Sequence, residues 1–338
     1  TDPATGITLL PTTKDITQCS MDEIFNEFTR QIRHIIDLQV ITEHINDEIH
    51  KQWDINAFRA SLVHDCIARG LDLIEGGSIY SADGGPTAGT ISSGDSLAAI
   101  EQMVFTEKAF TMEQLLHALD TNYEDDTTSP TGEQIRQMLL NAAPKFGNDD
   151  DRADKWAAKI ADFIGSTYRR ECKSSRYGKG PVPASYSYSQ SPVTGNIAFG
   201  KMVGATPDGR KKGEPVNNGI SPANGSEKKG PTAAMNSVAK MPSIWFQKGA
   251  IFNMRLTHSA LSDAESRKKI IAMIRVFFEK YGEHIQFNVV DNKVLKDAME
   301  KPEKYKDLMV RVSGYSALFT TLAPEVQIDV IQRTEFEV

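Results

Sequence analysis

Residues 201–232 are rich in glycine and proline and carry almost no apolar periodicity. A structureless stretch this long inside a compact domain is either functional or disordered, so it constrains everything on either side of it. Upstream, the pattern is helical. Ile24, Phe25, Phe28, Ile32, Ile35 and Ile36 recur at spacings of three and four over residues 21–49, the period of a helix face. Asp22 stands near the start, where helices favour acidic residues. Residues 57–70 predict a second helix closed by Gly70, and 76–94 a polar loop with six glycines. Residues 95–105 and 111–118 read as helices, the latter opening on Thr111 and Gln114 in the manner of a capping box. A loop follows at 123–132, then short helices to Tyr168, with the acidic residues 147–154 read as a solvated turn.

From Gly178 the chain changes character. Residues 184–200 alternate and contain β-type residues, predicting a strand interrupted at Pro192. Strands are also predicted at 249–257 and 285–290. The clearest helix spans 266–281, with Ile270, Ile271, Ile274, Phe277, Phe278 and Tyr281 as one apolar stripe that packs into the core. Helices at 292–299 and 324–333 complete an α/β pattern without internal repeats.

Composition narrows the function. A net charge of −7 over 338 residues leaves no electrostatic footprint for nucleic acid. No apolar run reaches the roughly 20 residues that span a bilayer. The first residues carry neither a basic nor an apolar signal segment, and they lack an initiator Met, so the expectation is a chain that begins mid-protein. Three cysteines, Cys19, Cys66 and Cys172, are odd in number and far apart, which fits a reducing, cytoplasmic setting. The seven histidines do not cluster at ligand spacing, and no metal site is expected. Phosphate-loop, zinc-protease and paired C-x-x-C motifs are all missing. The Lys211-Lys212 and Lys228-Lys229 pairs read as solvated loop charges.

One segment near the C-terminus says more. Arg311-Val312-Ser313-Gly314-Tyr315-Ser316 follows Gln286-Phe287-Asn288-Val289-Val290-Asp291 and the run from Pro302 to Val310. Further upstream stand Gly204-Ala205-Thr206-Pro207-Asp208-Gly209-Arg210, Gly219-Ile220-Ser221-Pro222 and Lys229-Gly230-Pro231-Thr232-Ala233. In this order, and together with the segments His64–Gly70 and Gly94–Ile100, they resemble the glycyl radical enzymes over nearly the whole chain. That family includes pyruvate formate-lyase, glycerol and propanediol dehydratases and choline trimethylamine-lyase.

The resemblance implies that Gly314 stores a radical on its α-carbon. Donation from the amide nitrogen and withdrawal by the carbonyl stabilise such a radical only if the centre is nearly planar, and a Cβ would crowd it. Glycine also accepts the dihedrals of a tight loop tip. No cofactor is expected to be bound: the modification is installed by an activating enzyme that uses S-adenosylmethionine and an iron–sulfur cluster. In the family the radical passes to a cysteine in a Gly-Cys-Val-Glu context, which this sequence lacks. Cys19, Cys66 and Cys172 are therefore read as structural, and the thiyl Cys is placed on an N-terminal half outside this chain.

By the same resemblance the fold is the second half of a ten-stranded α/β barrel surrounded by helices, with a C-terminal glycyl radical loop and helix. Residues 1–200 would form the helix-rich half-barrel segment and 201–338 the glycyl radical domain. Alternation around Pro192 puts Ser191 and Val193 on one face, taken as substrate-facing, while residues 206–210 buttress the barrel. The expected reaction is radical C–X cleavage of a small organic substrate, of dehydratase or lyase type. A decarboxylase, a fumarate-adding synthase, a formate acetyltransferase and a non-catalytic protein supplying a spare glycyl domain are the alternatives. Expected partners are the Cys-bearing half, the activating enzyme and a second copy of the complete enzyme, with no nucleic acid and no membrane.

Overall fold

A computed structural model describes residues 5–80, 84–171 and 186–336. The first helix, α1 (Met21–Trp53), is set by a capping box: Ser20 accepts from the Glu23 amide while the Glu23 carboxylate reaches back to Ser20, satisfying two otherwise orphaned donors. Ile24 and Ile36 are buried and Phe25, Phe28 and Ile32 half-buried against the core, whereas Ile35 points to solvent. The expected helix at 57–70 is two short ones, α2 (Ala57–Ser61) and α3 (Cys66–Arg69), because Asp65 adopts a left-handed φ of 73°. Gly70 closes α3 as predicted.

Next come α4 (Thr90–Ala99) and a π-helical turn at Ile100–Thr106, so helix begins five residues ahead of Asp95. Both α5 (Met112–Asp120) and α6 (Gly132–Asn141) open on Thr/Gln capping boxes, at Thr111/Gln114 and Thr131/Gln134. Of the short helices expected up to Tyr168, α6 is one, and the rest is a single helix of 21 residues, α7 (Asp151–Glu171). Its residues Ala153, Trp156, Ala157, Ile160, Ala161 and Ile164 are buried, a stripe that α4 covers.

The acidic stretch at 147–154 is not a solvated turn. Asp154 is buried, accepts from Ser237 Oγ at 3.0 Å and from Lys240 Nζ at 2.8 Å, and Lys240 also binds Asp149 and Asp151. Lys240 lies on the far side of the glycine-rich stretch, just past α9 (Pro231–Ala239), so the cluster joins the two parts of the chain.

The strand expected at 184–200 is largely absent from its described portion. Residues 189 and 190 make isolated parallel bridges, to Pro86 and Ala250; from Gly195 to Met202 the chain is helical, α8. The remaining helices are α10 (Ala264–Glu279), α11 (Asn292–Glu300) and α12 (Pro324–Gln332). In α10 only Ile270 and Phe277 of the predicted stripe are fully buried; Ile271 and Phe278 are exposed, and Tyr281 lies past the helix end with a φ of 66°.

The strands are β1 (Asn253–Leu256), β2 (Gln286–Val289), the hairpin pair β3 (Met309–Arg311) and β4 (Ser316–Leu318), and β5 (Glu335–Phe336). β1 is central and parallel to both neighbours, with Asn253 opposite Gln286 and Arg255 opposite Glu335. β5 is too short to leave a period in the sequence. Arg255 fixes it there: buried to 1% exposure, it donates to the carbonyls of Val330, Ile331 and Arg333 and to Asn292 Oδ1. Carbonyls at a helix C-terminus carry partial negative charge, so the end of α12 is a fitting seat for this cation. A second, smaller core of Leu295, Ala298, Val310, Val312, Phe319 and Val330 packs the hairpin onto α11 and α12.

Candidate active site

Gly314 sits at the tip of the β3–β4 hairpin, where the Val312 amide donates to the Tyr315 carbonyl at 2.8 Å. Its φ is 78°, close to the roughly +80° that a type II turn requires at its third residue. A Cβ added there would meet only Ile251 Cδ1, at 3.0 Å. The position therefore asks for glycine through its dihedral more than through crowding.

Ser313, immediately before it, is buried and donates from Oγ to Asn218 Oδ1 at 2.9 Å. Asn218 belongs to the glycine-rich stretch. Its Nδ2 donates to the Val193 carbonyl and to Asn196 Oδ1, both at 3.2 Å, and its Oδ1 also accepts from Asn253 Nδ2 at 3.2 Å. An amide side chain offers two donors and two lone pairs, and here all four are used. Asn253 in turn accepts from Gln286 Nε2, Gln286 Oε1 accepts from Arg311 Nε at 2.8 Å, and Asn288 exchanges two hydrogen bonds with the Arg311 backbone at 2.6 and 2.7 Å. A buried polar chain thus leads from β1 through β2 to the hairpin. Satisfied networks of this kind rigidify what they connect.

Val193 lies at the other end of Asn218. It has a φ of 59° and is 46% exposed. A left-handed conformation is a genuine outlier for a β-branched residue. Ser191 is half-buried, and Pro192 between them is buried. The alternation argument for these two residues fails in its premise, since they occupy a turn leading into α8 rather than a strand. The structure nonetheless ties that turn to the residue preceding Gly314.

The glycine-rich stretch is ordered largely by hydrogen bonds, with Ile220 its deep apolar anchor in the main core. The Arg210 guanidinium donates to the carbonyls of Gly200, Val203, Gly204, Lys211 and Glu214, and Tyr123 Oη donates to the Thr206 carbonyl at 2.6 Å. A cavity of about 510 Å³ beside it is lined by Ser92, Asp95, Lys145, Asp208 and Arg210, and does not include Ser191, Val193 or Gly314. Asp95 there is 1% exposed, and burial pushes its carboxyl up to about 7.

Cys19 is half-buried and donates to the Asp15 carbonyl at 3.3 Å. Cys66 is buried in α3, and desolvation raises its thiol above the ordinary range, which suppresses thiolate chemistry. Cys172 falls outside the described residues. Among the described residues no group of three or more His, Cys, Asp or Glu side chains is placed to hold a metal ion, and no helix is long and apolar enough to cross a membrane.

The motifs that carry the family resemblance contain Gln286, Asn288, Arg311 and Ser313 but assign those side chains no role, and nothing in the sequence singles out Asn218 or Asn253. One signal was available. Gln286 and Asn288 are two apart on a strand, hence on one face, and two amides on one face of an otherwise apolar strand need partners.

Residues 1–200 match the family model described as pyruvate formate lyase-like, and residues 216–320 the one described as glycine radical. The chain belongs to the glycyl radical enzymes. Among the members of this family that it resembles is a probable dehydratase of Escherichia coli, 38% identical over 341 residues, covering 99% of this chain and 41% of the relative. A trans-4-hydroxy-L-proline dehydratase of Clostridioides difficile is 37% identical over 318 residues, covering 94% of this chain and 38% of the relative. A solved structure concerned with 1,2-propanediol dehydration in Roseburia inulinivorans superposes with a TM-score of 0.89 at 38% identity, over 95% of this chain and 40% of that one. This chain therefore spans about two fifths of the length of the relatives it matches.

Proposed function

We propose that this chain is the C-terminal part of a glycyl radical dehydratase or related C–X lyase, and that Gly314 stores its radical. The observation that carries the reading is Gly314 itself. It is a glycine with φ of 78° at a hairpin tip, inside the segment matched by the glycine radical model and anchored by the adjacent buried Ser313. The dehydratase names of several relatives favour cleavage of a C–O bond in a small polar substrate, and the isethionate sulfite-lyases among the others keep C–S cleavage as the alternative.

In this reading an activating enzyme removes one α-hydrogen from Gly314. The peptide plane on either side then delocalises the unpaired electron, and the stored radical generates a thiyl on a cysteine outside this chain. Ser191 and Val193 shape the substrate pocket. The parallel positions at 86, 189–190, 250–256 and 286–289 would form one half of a ten-stranded barrel, the other half carrying the cysteine. The split into a half-barrel segment (1–200) and a glycyl radical domain (201–338), a homodimer of the complete enzyme and a cytoplasmic location belong to the same proposal. The alternative of a spare glycyl-domain protein fits less well, because such a protein needs only the hairpin and its supports, whereas residues 1–200 match the lyase-like model.

Anaerobic activation followed by electron paramagnetic resonance tests this. A doublet from one α-hydrogen, collapsing to a singlet in deuterated buffer and absent in Gly314→Ala, is expected, and air should then cut the chain at Gly314. A doublet of normal intensity in Gly314→Ala would sink the assignment. Copurification of a polypeptide bearing the Gly-Cys-Val-Glu sequence is the accompanying result for the partner half.

A further inference from the structure

We propose that Asn218 is a positioning residue that couples the substrate-facing turn at Val193 to the radical-bearing loop at Gly314, so that one side chain sets both. The inference rests on the functional reading above for the meaning of the two ends, but the coupling itself stands on geometry.

Asn218 is 7% exposed, and its amide hydrogen bonds are divided between the entry to α8 on one side and the hairpin with β1 on the other. On the donor side, Nδ2 holds the carbonyl of Val193 and Asn196 Oδ1, at the entry to α8. On the acceptor side, Oδ1 takes the hydroxyl of Ser313 and the amide of Asn253, on the hairpin and β1. The two sides cannot move independently without breaking bonds at the shared amide. Asn196 extends the donor side to α12, since its Nδ2 donates to Asp329 Oδ1 at 3.1 Å, and Asp329 is paired with Arg333.

Strain supports a role beyond packing. Val193 holds a left-handed backbone that costs a β-branched residue free energy, of the kind that persists only when the surroundings over-determine it. The bond from Asn218 to the Val193 carbonyl is one such determinant, and it acts on a residue that is 46% exposed. Gly314 by contrast is free of crowding apart from Ile251 Cδ1, so its placement depends on its neighbours, and Ser313 is the neighbour that is tied down.

Three substitutions separate the two sides. Asn218→Ala removes both. Asn218→Asp keeps an acceptor for Ser313 and Asn253 but turns a carboxylate toward the Val193 carbonyl, opening the turn alone. Ser313→Ala frees the loop alone. Amide hydrogen exchange, measured on the chain in the assembly in which it purifies, should accelerate about ten-fold at residues 313–316 and at 193–196 in Asn218→Ala, the size expected for losing a net hydrogen bond near 1.4 kcal/mol. It should accelerate mainly at 193–196 in Asn218→Asp and mainly at 313–316 in Ser313→Ala. In the activated enzyme, Asn218→Asp should raise KM several-fold while leaving the glycyl doublet in place, and Ser313→Ala should lower kcat with little change in KM.

Unchanged exchange at both segments in a folded Asn218→Ala protein overturns the coupling. So does a uniform acceleration across the whole chain in all three variants, which is the signature of an ordinary core amide. If wild type shows no doublet at all, the functional reading fails while the exchange pattern still decides whether Asn218 ties the two segments.

Discussion

A Cβ placed on Gly94 would come within 2.8 Å of the Ala157 backbone nitrogen, and one placed on Gly219 within 2.2 Å of the Ile251 carbonyl oxygen; one placed on Gly314 would meet only the tip of Ile251, at 3.0 Å. Gly94 lies in the α4–α7 layer, where Ile91, Leu97, Ala98, Ala99, Ala157 and Ala161 are all buried and small residues let two helices approach closely. The hairpin tip is held differently, by amides and a hydroxyl, and Met309 and Tyr315 on the hairpin are exposed. The helical layer is fixed largely by shape. The hairpin stands on its own small apolar core, but its tip is fixed by hydrogen bonds, with room left around one backbone carbon. That is the arrangement a site needs when chemistry must reach the main chain.

The sharpest way to break the contrast is to fill the close approaches. Gly94→Val and Gly219→Ala should each destabilise the protein by more than about 3 kcal/mol, beyond the usual range for overpacking, because the obstructing atoms are backbone and cannot rotate away. Loss of a cooperative thermal transition, or of soluble protein, is the expected readout. A Gly219→Ala protein melting within a few degrees of wild type would mean that the stretch at 201–232 yields easily.

A graded effect distinguishes the layer by its response to pH. Burial raises the Asp95 carboxyl to about 7, with Lys145 opposing the shift and Asp208 and Asp154 adding to it. Because the folded state holds this proton more tightly than the unfolded chain, the Asp95 contribution to stability falls as pH rises from about 4 to about 7, by up to about 1.4 kcal/mol per unit. Asp95→Asn keeps an oxygen for the Phe146 amide, which Asp95 Oδ1 accepts at 2.7 Å, and removes the titration. The stability difference should therefore move in favour of Asp95→Asn between pH 4 and pH 7 and level off above. A constant difference across that range in denaturant titrations would show that Asp95 is ionised in the fold.

How much of this was legible beforehand follows from the range of the interactions. The capping boxes at Thr111 and Thr131 and the glycine closing α3 are local, and the first and last of these were read directly. The glycine radical segment was legible because its motifs run in a fixed order along the chain. The Asp154–Lys240 pair was not: its partners are 86 residues apart, and an acidic run alone looks solvated. Asn218 was hidden for a related reason. An asparagine beside a glycine reads as a turn residue, and only the fold brings β1, α8 and the hairpin to its amide. At Val193, β-type residues suggested a strand, whereas the local hydrogen bonds around Pro192 and Gly195 bend the chain into a helix.

The smallest expected effect lies at Gly314 itself, and it discriminates best between holding a fold and serving chemistry. Replacing glycine at φ of 78° by an L-residue costs roughly 1–2 kcal/mol for the left-handed backbone. The added methyl meets only a terminal Ile251 carbon, which can turn to another rotamer. Ser313 keeps its bond to Asn218 and the Val312–Tyr315 turn keeps its own, so nothing else in the network is lost. Gly314→Ala should therefore unfold only a few degrees below wild type, with the same hydrogen-exchange protection along β3 and β4, far from the collapse expected of Gly94→Val. Glycine chosen for shape alone would predict comparable losses at both sites. A large stability loss in Gly314→Ala, matching that of Gly94→Val in denaturant titrations, would make Gly314 a packing glycine and remove the contrast between the two regions.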